Sequence, residues 1–233
     1  MIKVIGFDLD DTLWAVKPVI IGAEAALKAH LKDRLPHFNY AQQHLLIARK
    51  QLLAEDPSLS FRLTALRQAV LTKAMLNSGI KTAQAQNLAA EAMDVFLEAR
   101  NRVTFFPGAL KALAELAQDY ILGALTNGNA DIKRLGLDHL FMFSFSAEQV
   151  GAAKPDSILF ESALAQTNIK AHEMIYVGDD PLLDIDAAAR LGIKTIWKSN
   201  PKKQSDLISA PDERIQQLSE LPGAVKKIAL MQT

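Results

Sequence analysis

Residues 2–14 read IKVIGFDLDDTLW. An apolar run rich in Ile and Val ends in three acids within four positions, Asp8, Asp10 and Asp11. A run of this kind, bounded by turn-forming residues, predicts a short buried strand over 2–8. Like charges held close repel one another and leaving water is costly, so carboxylates at the end of such a strand need something to offset them. A bound cation, a reactive intermediate, or both would do so.

Beyond this strand the pattern changes. From about residue 19 to 101 the spacing is helical, with Leu88, Ala92 and Phe96 recurring every fourth position beside Met93 and Leu97. The stretches AQQHLLIARKQLLAE and FRLTALRQAVLTKAMLNSG read as helices too, and breaks at Pro36, Pro57 and Gly79 divide the segment into about four. After Phe105, Pro107 and Gly108 the pattern alternates. A helix over 108–118 leads to YILGALTNG, one over about 130–138 to FMFSFSAEQ, one over 155–167 to MIYVGDD, and one over 182–191 to KTIWKS. Strands alternating with helices predict an α/β fold with a mostly parallel, Rossmann-like sheet. The first strand has no partner unless it joins that sheet. The expected organisation is therefore a catalytic core of residues 1–14 and 102–233, with an all-α domain of residues 15–101 inserted after the first strand. The tail beyond about residue 200 reads as polar, then weakly helical.

Composition excludes several classes. Of 233 residues 49% are apolar, enough for a sizeable core, and the zero formal net charge argues against a dedicated nucleic-acid binder. The absence of cysteine excludes disulfides and thiolate chemistry. No uncharged apolar run approaches the roughly 18 residues a membrane helix needs. The opening MIKVIGFDLD carries no long apolar signal region, so a cytoplasmic location is expected. Residues 15–100 hold 11 Lys and Arg against 7 Asp and Glu, which fits either an anion-facing surface or ordinary solvated helix faces.

In an open parallel sheet, ligands bind beyond the carboxyl ends of the strands. The polar residues expected there are Asp8 and Asp10 after the first strand, Thr126 and Asn127 after the second, and Asp179 and Asp180 after the fourth, with Lys154 and Asp184 in adjacent segments. Neither a phosphate-binding GxxxxGK[ST] loop nor a dinucleotide GxGxxG is present, and the five histidines are scattered. An all-oxygen cluster suits a hard cation such as Mg²⁺. A carboxylate is also able to act as a nucleophile and form an aspartyl-phosphate.

These residues resemble the haloacid dehalogenase superfamily of aspartate-nucleophile phosphatases. FDLDDTL matches its DxDxT motif, LTNGN its strand-ending Thr or Ser, KPD its lysine, and GDDPLLD its final acidic motif, in order and along the whole chain. The resemblance implies that Asp8 is the nucleophile and that Asp10 is the general acid and base. Thr126 and the Asn127 backbone would hold phosphate, and Lys154 would balance charge. Mg²⁺ would lie on the Asp8 carboxylate, the Asp10 carbonyl and Asp179. Asp184 would orient Lys154 or a metal-bound water, and Asp180 would act as a supporting group. The inserted helices resemble the family's α-helical cap.

The function implied is Mg²⁺-dependent hydrolysis of a small phosphomonoester, with flavin mononucleotide or another nucleotide or sugar phosphate as substrate, in a monomer or homodimer without nucleic-acid or membrane partners. The rival readings are a phosphomutase, a catalytically weak binding module and a dehalogenase. The last is disfavoured because the family's dehalogenases lack an acid two residues after the nucleophile, the position of Asp10. Several residues have plainer readings: Asp11 as a cap or turn, Asp186 on a helix surface, Trp14 as packing, and Lys17, Arg49, Arg62 and Arg67 as exposed charges of the insert.

Overall fold

The computed structural model describes residues 1–38, 40, 42–200 and 209–231. The chain separates into two compact units, Lys17–Arg102 and Met1–Val16 with Val103–Thr233. Among the described residues the first is all-helical: α1 (Val16–Arg34), α2 (Gln42–Glu55), α3 (Leu63–Asn77) and α4 (Thr82–Arg100). Its core joins Leu27 and Leu31 of α1, Leu71 and Met75 of α3, and Leu88 and Phe96 of α4, with Ala85, Ala89 and Ala92 letting the helices approach closely. A smaller cluster of Ala48, Leu59, Leu66 and Val70 packs α2 against α3. Lys17 and Arg49 are exposed and Arg62 is half-buried. Arg67 differs from the plain reading: it pairs with Glu24 and lies 4.0 Å over the Phe96 ring.

The second unit carries a six-stranded sheet in the order β3-β2-β1-β4-β5-β6. The strands are β1 (Val4–Phe7), β2 (Ile121–Thr126), β3 (Phe141–Ser146), β4 (Met174–Gly178), β5 (Lys194–Lys198) and β6 (Glu213–Ile215). Every pairing is parallel. The helices around the sheet are α5 (Ala109–Leu116), α6 (Ala147–Val150), α7 (Ile158–Thr167), α8 (Ala187–Arg190) and α9 (Leu221–Leu230). All four residues of β1 are buried, as a central strand covered on both faces requires. The α/β, Rossmann-like class expected from the alternating pattern is the one observed. From β1 the chain runs outward through β2 to β3 and then resumes on the other side at β4. The winding therefore reverses between β1 and β4, and the crevice of a doubly wound sheet opens there.

Four local expectations are corrected. Residues 132–136 form turns rather than a helix, because Leu137 N closes back onto Ile132 O at 2.8 Å after a single helical bond from Leu135 N to Asp131 O. α7 begins at Ile158, not at Pro155, since residues 154–157 form a turn. The segment 182–191 divides into a wide helical turn, Pro181–Asp186, and the short α8. Asp186 is 3% exposed rather than on a helix surface, where it accepts from Ser209 Oγ at 2.6 Å and pairs with Arg190. The tail adds β6 and α9, whose buried Leu221, Val225 and Ile228 close one edge of the sheet's covering layer.

No helix among the described residues is long and apolar enough to cross a membrane.

Candidate active site

Parallel pairing sets Phe7 opposite Val177, and Asp8 N continues the ladder by donating to Val177 O at 2.9 Å. The residues that follow these two strands therefore meet. Asp8, Asp179 and Asp184 each offer a carboxylate oxygen within 4.8 Å of the others. Into this group reaches the Lys154 ammonium, 2.8 Å from Asp8 Oδ1 and 2.7 Å from Asp184 Oδ1. The lysine is 4% exposed. Its Nζ also lies 2.7 Å from the Tyr176 hydroxyl and 3.0 Å from Leu125 O. An ammonium has three protons. They are accounted for when Asp8, Asp184 and the Tyr176 oxygen each take one, and Tyr176 passes its own proton to Leu125 O at 3.0 Å.

Tyr176 reaches Leu125 by crossing β1, and Gly6 makes the crossing possible. Gly6 pairs with Gly123 on one side and Tyr176 on the other, and a Cβ placed there would lie 2.9 Å from Tyr176 Cδ2 and 2.4 Å from Met174 Cε. The methionine tip is able to yield; the ring, packed edge-on against Phe160 at 4.9 Å, is not. Gly6→Ala is therefore expected to destabilise the protein by about 1–3 kcal/mol and to pull the hydroxyl from Lys154. Urea unfolding measures the first effect. Wild-type stability would show that the ring does not occupy this path.

Asp184 is seated by the other end of β4. Its Oδ2 accepts from Asp180 N at 3.0 Å, and its side chain lies so close over Gly178 that an added Cβ would sit 2.4 Å from Asp184 Cγ. The Asp180 carboxylate serves as an N-cap, accepting from Leu182 N at 2.9 Å and Leu183 N at 2.8 Å. The Asp179 carbonyl accepts from Trp197 Nε1 at 2.9 Å.

The loop after β1 is tightly folded. Asp11 adopts φ 60°, its carboxylate accepts from Val16 N at 3.0 Å, and its own N–H donates to Trp14 O at 2.7 Å. A short polar side chain that bonds locally tolerates this left-handed conformation. The turn brings the indole of Trp14 onto Asp10, with Nε1 2.9 Å from Oδ1. The Thr12 hydroxyl lies 3.1 Å from Asp8 Oδ2 and 3.4 Å from Asp179 Oδ1, bridging the two strand ends. Lys198, at the end of β5, donates to Asp11 O at 3.2 Å and lies 4.0 Å over the Phe106 ring.

After β2, Thr126 Oγ1 accepts from Gly128 N at 2.9 Å. The Asn127 amide forms a reciprocal pair with the lysine backbone, accepting from Lys154 N at 2.7 Å and donating to Lys154 O at 2.9 Å. Asn127 thus anchors the residue whose ammonium enters the acid cluster.

Burial pushes the Asp8 carboxyl up to about 8; Lys154 opposes this, while Asp184 and Asp179 reinforce it. Burial works against the charge on Lys154 as well, but the carboxylates of Asp184 and Asp8 outweigh it and hold the ammonium well above its ordinary range. The Tyr176 hydroxyl, raised well above 10 by burial, stays protonated. With all three carboxylates ionised, one ammonium leaves an excess of two negative charges, which Asp8 reduces by holding a proton when no cation is bound. A divalent cation would offset that excess, and an all-carboxylate donor set fits a hard ion of the Mg²⁺ type.

Of the residues singled out from the sequence, Asp8, Asp179, Asp184 and Lys154 converge directly, and Asn127 is joined to them through the lysine backbone. Asp10 turns its carboxylate to Trp14, and Asp180 caps the following turn. Thr12, Trp14, Tyr176 and Lys198 were not singled out as site residues. Thr12 is the threonine of the quoted DxDxT motif, and Lys198 is a cation directly after the apolar pair Ile196–Trp197, so both left a signal. Trp14 and Tyr176 read as core aromatics, which their rings are.

A doubly wound parallel sheet with an acid cluster and the buried Lys154 ammonium at its switch point is the arrangement of an α/β enzyme. The chain belongs to the haloacid dehalogenase-like hydrolase family, whose sequence pattern matches residues 2–192. It is 31% identical to 5-amino-6-(5-phospho-D-ribitylamino)uracil phosphatase YigB of Escherichia coli, over 92% of this chain and 90% of that one. It is 28% identical to phosphoserine phosphatase of Thermus thermophilus, over 94% and 97% of the two chains. The crystal structure of 2-haloacid dehalogenase from Pseudomonas syringae pv. Tomato superimposes with a TM-score of 0.93 at 43% identity, covering 97% of this chain and 99% of that one.

Proposed function

We propose that the protein is a Mg²⁺-dependent phosphatase that hydrolyses a small phosphomonoester through an aspartyl-phosphate on Asp8. The observation that carries this reading is the Asp8 carboxylate held 2.8 Å from Lys154 Nζ inside a cation-compatible acid cluster, with a second acid, Asp10, two residues along. In the first step an Asp8 oxygen bonds to phosphorus, the bond to the leaving oxygen breaks, and that oxygen takes a proton from Asp10. In the second, water gives a proton to Asp10 as its oxygen bonds to phosphorus, and the bond to Asp8 breaks, freeing phosphate. Lys154 stabilises negative charge on Asp8 and on the transferring group. The Thr126 hydroxyl and Asn127 backbone N–H are assigned to phosphate oxygens. Asp8, Asp179 and the Asp10 carbonyl would hold the metal, with Asp184 orienting Lys154. The cation would supply positive charge that keeps the clustered carboxylates ionised and draws electron density from the phosphate. We assign the cap role to the helical unit.

The relatives support a small substrate, since the names of two of them specify phosphorylated metabolites. The phosphoribityl chain named for the Escherichia coli relative is also present in flavin mononucleotide, which places phosphorylated ribityl compounds first in a substrate panel.

A second reading, C–halogen displacement, is favoured by the 43% identity to a structure named as a haloacid dehalogenase. A departing halide needs no proton, so that reaction would leave Asp10 without a chemical task. Purified protein is to be given flavin mononucleotide, phosphoserine and glyceraldehyde 3-phosphate, and separately 2-chloropropionate, each with Mg²⁺ or EDTA. Phosphate release that requires Mg²⁺ is expected. Chloride release that persists in EDTA, without phosphate from any ester, would replace this reading by the second.

A further inference from the structure

We propose that Trp14 is a positioning residue for Asp10, its indole N–H holding one carboxylate oxygen so that the other presents the proton to the leaving group. This rests on the phosphatase reading given above. Trp14 is fully buried, and its ring stands edge-on to Phe105 with centroids 5.6 Å apart and planes at 82°. A bridge joins the Trp14 backbone to Phe105, and Phe106 N donates to Leu13 O at 2.8 Å, so neither the ring nor its backbone is free to swing. The loop beneath is equally constrained: Asp10 and Trp14 are bridged, Asp11 N bonds Trp14 O, and Lys198 holds the Asp11 carbonyl. An indole nitrogen donates and never accepts. At 2.9 Å it therefore fixes Oδ1 as an acceptor whichever protonation state Asp10 has, and the acid proton belongs on Oδ2. General acid catalysis depends on such aim, because the proton must reach the departing oxygen at hydrogen-bond distance.

The consequence is a dependence on leaving group. An alkoxide must be protonated as it departs, whereas p-nitrophenolate leaves readily without help. Trp14→Phe keeps an aromatic ring against Phe105 and removes the donor together with part of the indole's volume. We expect kcat/KM for alkyl phosphates to fall on the order of tenfold or more, and that for p-nitrophenyl phosphate by no more than about threefold, out of a general-acid contribution of roughly 10²–10⁴. A merely structural role would lower both alike, and an equal loss in the two overturns the proposal. Should wild-type protein hydrolyse neither class, the phosphatase reading itself fails; active wild type with an unchanged substrate ratio in Trp14→Phe sinks only the role of Trp14. A second arm needs no activity and no fragile variant at position 14. The chain has two tryptophans, so its indole ¹⁵N–¹H spectrum is assignable with Trp197→Phe. Asp10→Ala is expected to shift the Trp14 indole signal and speed its exchange with solvent. An unmoved signal would show that the contact is not made in solution and overturn the proposal.

Discussion

Asp8→Asn is expected to reduce phosphate release by on the order of 10⁴-fold or more, because an amide cannot form the aspartyl-phosphate on which both half-reactions depend. The variant should nonetheless fold. The amide nearly matches the carboxyl group in shape and, like the protonated acid, places no third charge beside Asp179 and Asp184. A signature in stability accompanies the loss. Asp8 has its pKa raised from 3.8 to about 8, mainly by burial, in the metal-free protein. A group whose pKa is higher folded than unfolded favours the folded state fully below the unfolded value, and that contribution is lost as pH rises through the folded value. Metal-free wild type should thus lose stability between about pH 4 and 8, at up to about 1.4 kcal/mol per unit, and Asp8→Asn should lack this slope. Urea midpoints across that range, in EDTA, measure it. Residual turnover near wild type would transfer the nucleophile's role elsewhere; parallel stability curves would mean that Asp8 is ionised well below pH 8 without metal.

The strand of residues 4–7 and its acids were legible because two constraints coincide there: a run apolar on both faces, then charges that no core tolerates without cause. The later strands were legible for the first reason alone. β6 was not, since Glu213, Arg214 and Ile215 offer one buried side chain among three. Sheet order was also hidden, because pairing between β1 and β4 joins residues some 170 apart and leaves no local trace. In the site, sequence spacing brought forward the acids and Lys154, whose charges are anomalous in apolar surroundings. It did not bring forward Tyr176 or Trp14. Their rings satisfy the core pattern, and only the fold reveals where the hydroxyl and the indole N–H point. Tyr176 depends further on Gly6, a residue that reads as a weak point in a strand and acts as the opening through which the ring crosses β1. Asp186 failed in the opposite sense: helical spacing placed it outward, while Ser209 and Arg190 provide for a buried carboxylate.

Lys154→Met is expected to cost both activity and stability, and the two losses should respond differently to pH. Methionine fills a similar volume but removes the cation that Asp8 and Asp184 share. Breaking a buried pair by deleting one partner typically costs about 3–5 kcal/mol, because the remaining charge keeps its desolvation penalty. Here two acids are left. The pKa of Lys154 lies well above 10.5 in the folded protein, so its stabilising contribution is fully present below its unfolded value and is lost only as pH rises through the higher folded one. Between pH 5 and 8 the lysine therefore contributes a constant amount, and any pH dependence that the variant gains comes from the acids it leaves behind. Without Lys154, which lowers it, the Asp8 pKa rises further above about 8. The destabilisation should accordingly stay level between pH 5 and 7 and grow as pH rises past about 8. Turnover should fall on the order of 10²–10³-fold or more, since a fixed positive charge no longer meets the transferring phosphoryl group, and lowering the pH should not restore it, because neutral Asp8 is no nucleophile. Mg²⁺ should recover part of the stability by binding the ionised cluster in the native state, without recovering the rate. Arginine is not a substitute in this slot: its planar fork exceeds the space of a 4% exposed ammonium that meets acceptors on several sides. A folded Lys154→Met protein with near wild-type turnover would show that Lys154 serves only to hold the acids together. A destabilisation that stays level from pH 7 to pH 9 would show that Asp8 does not depend on Lys154 for its charge.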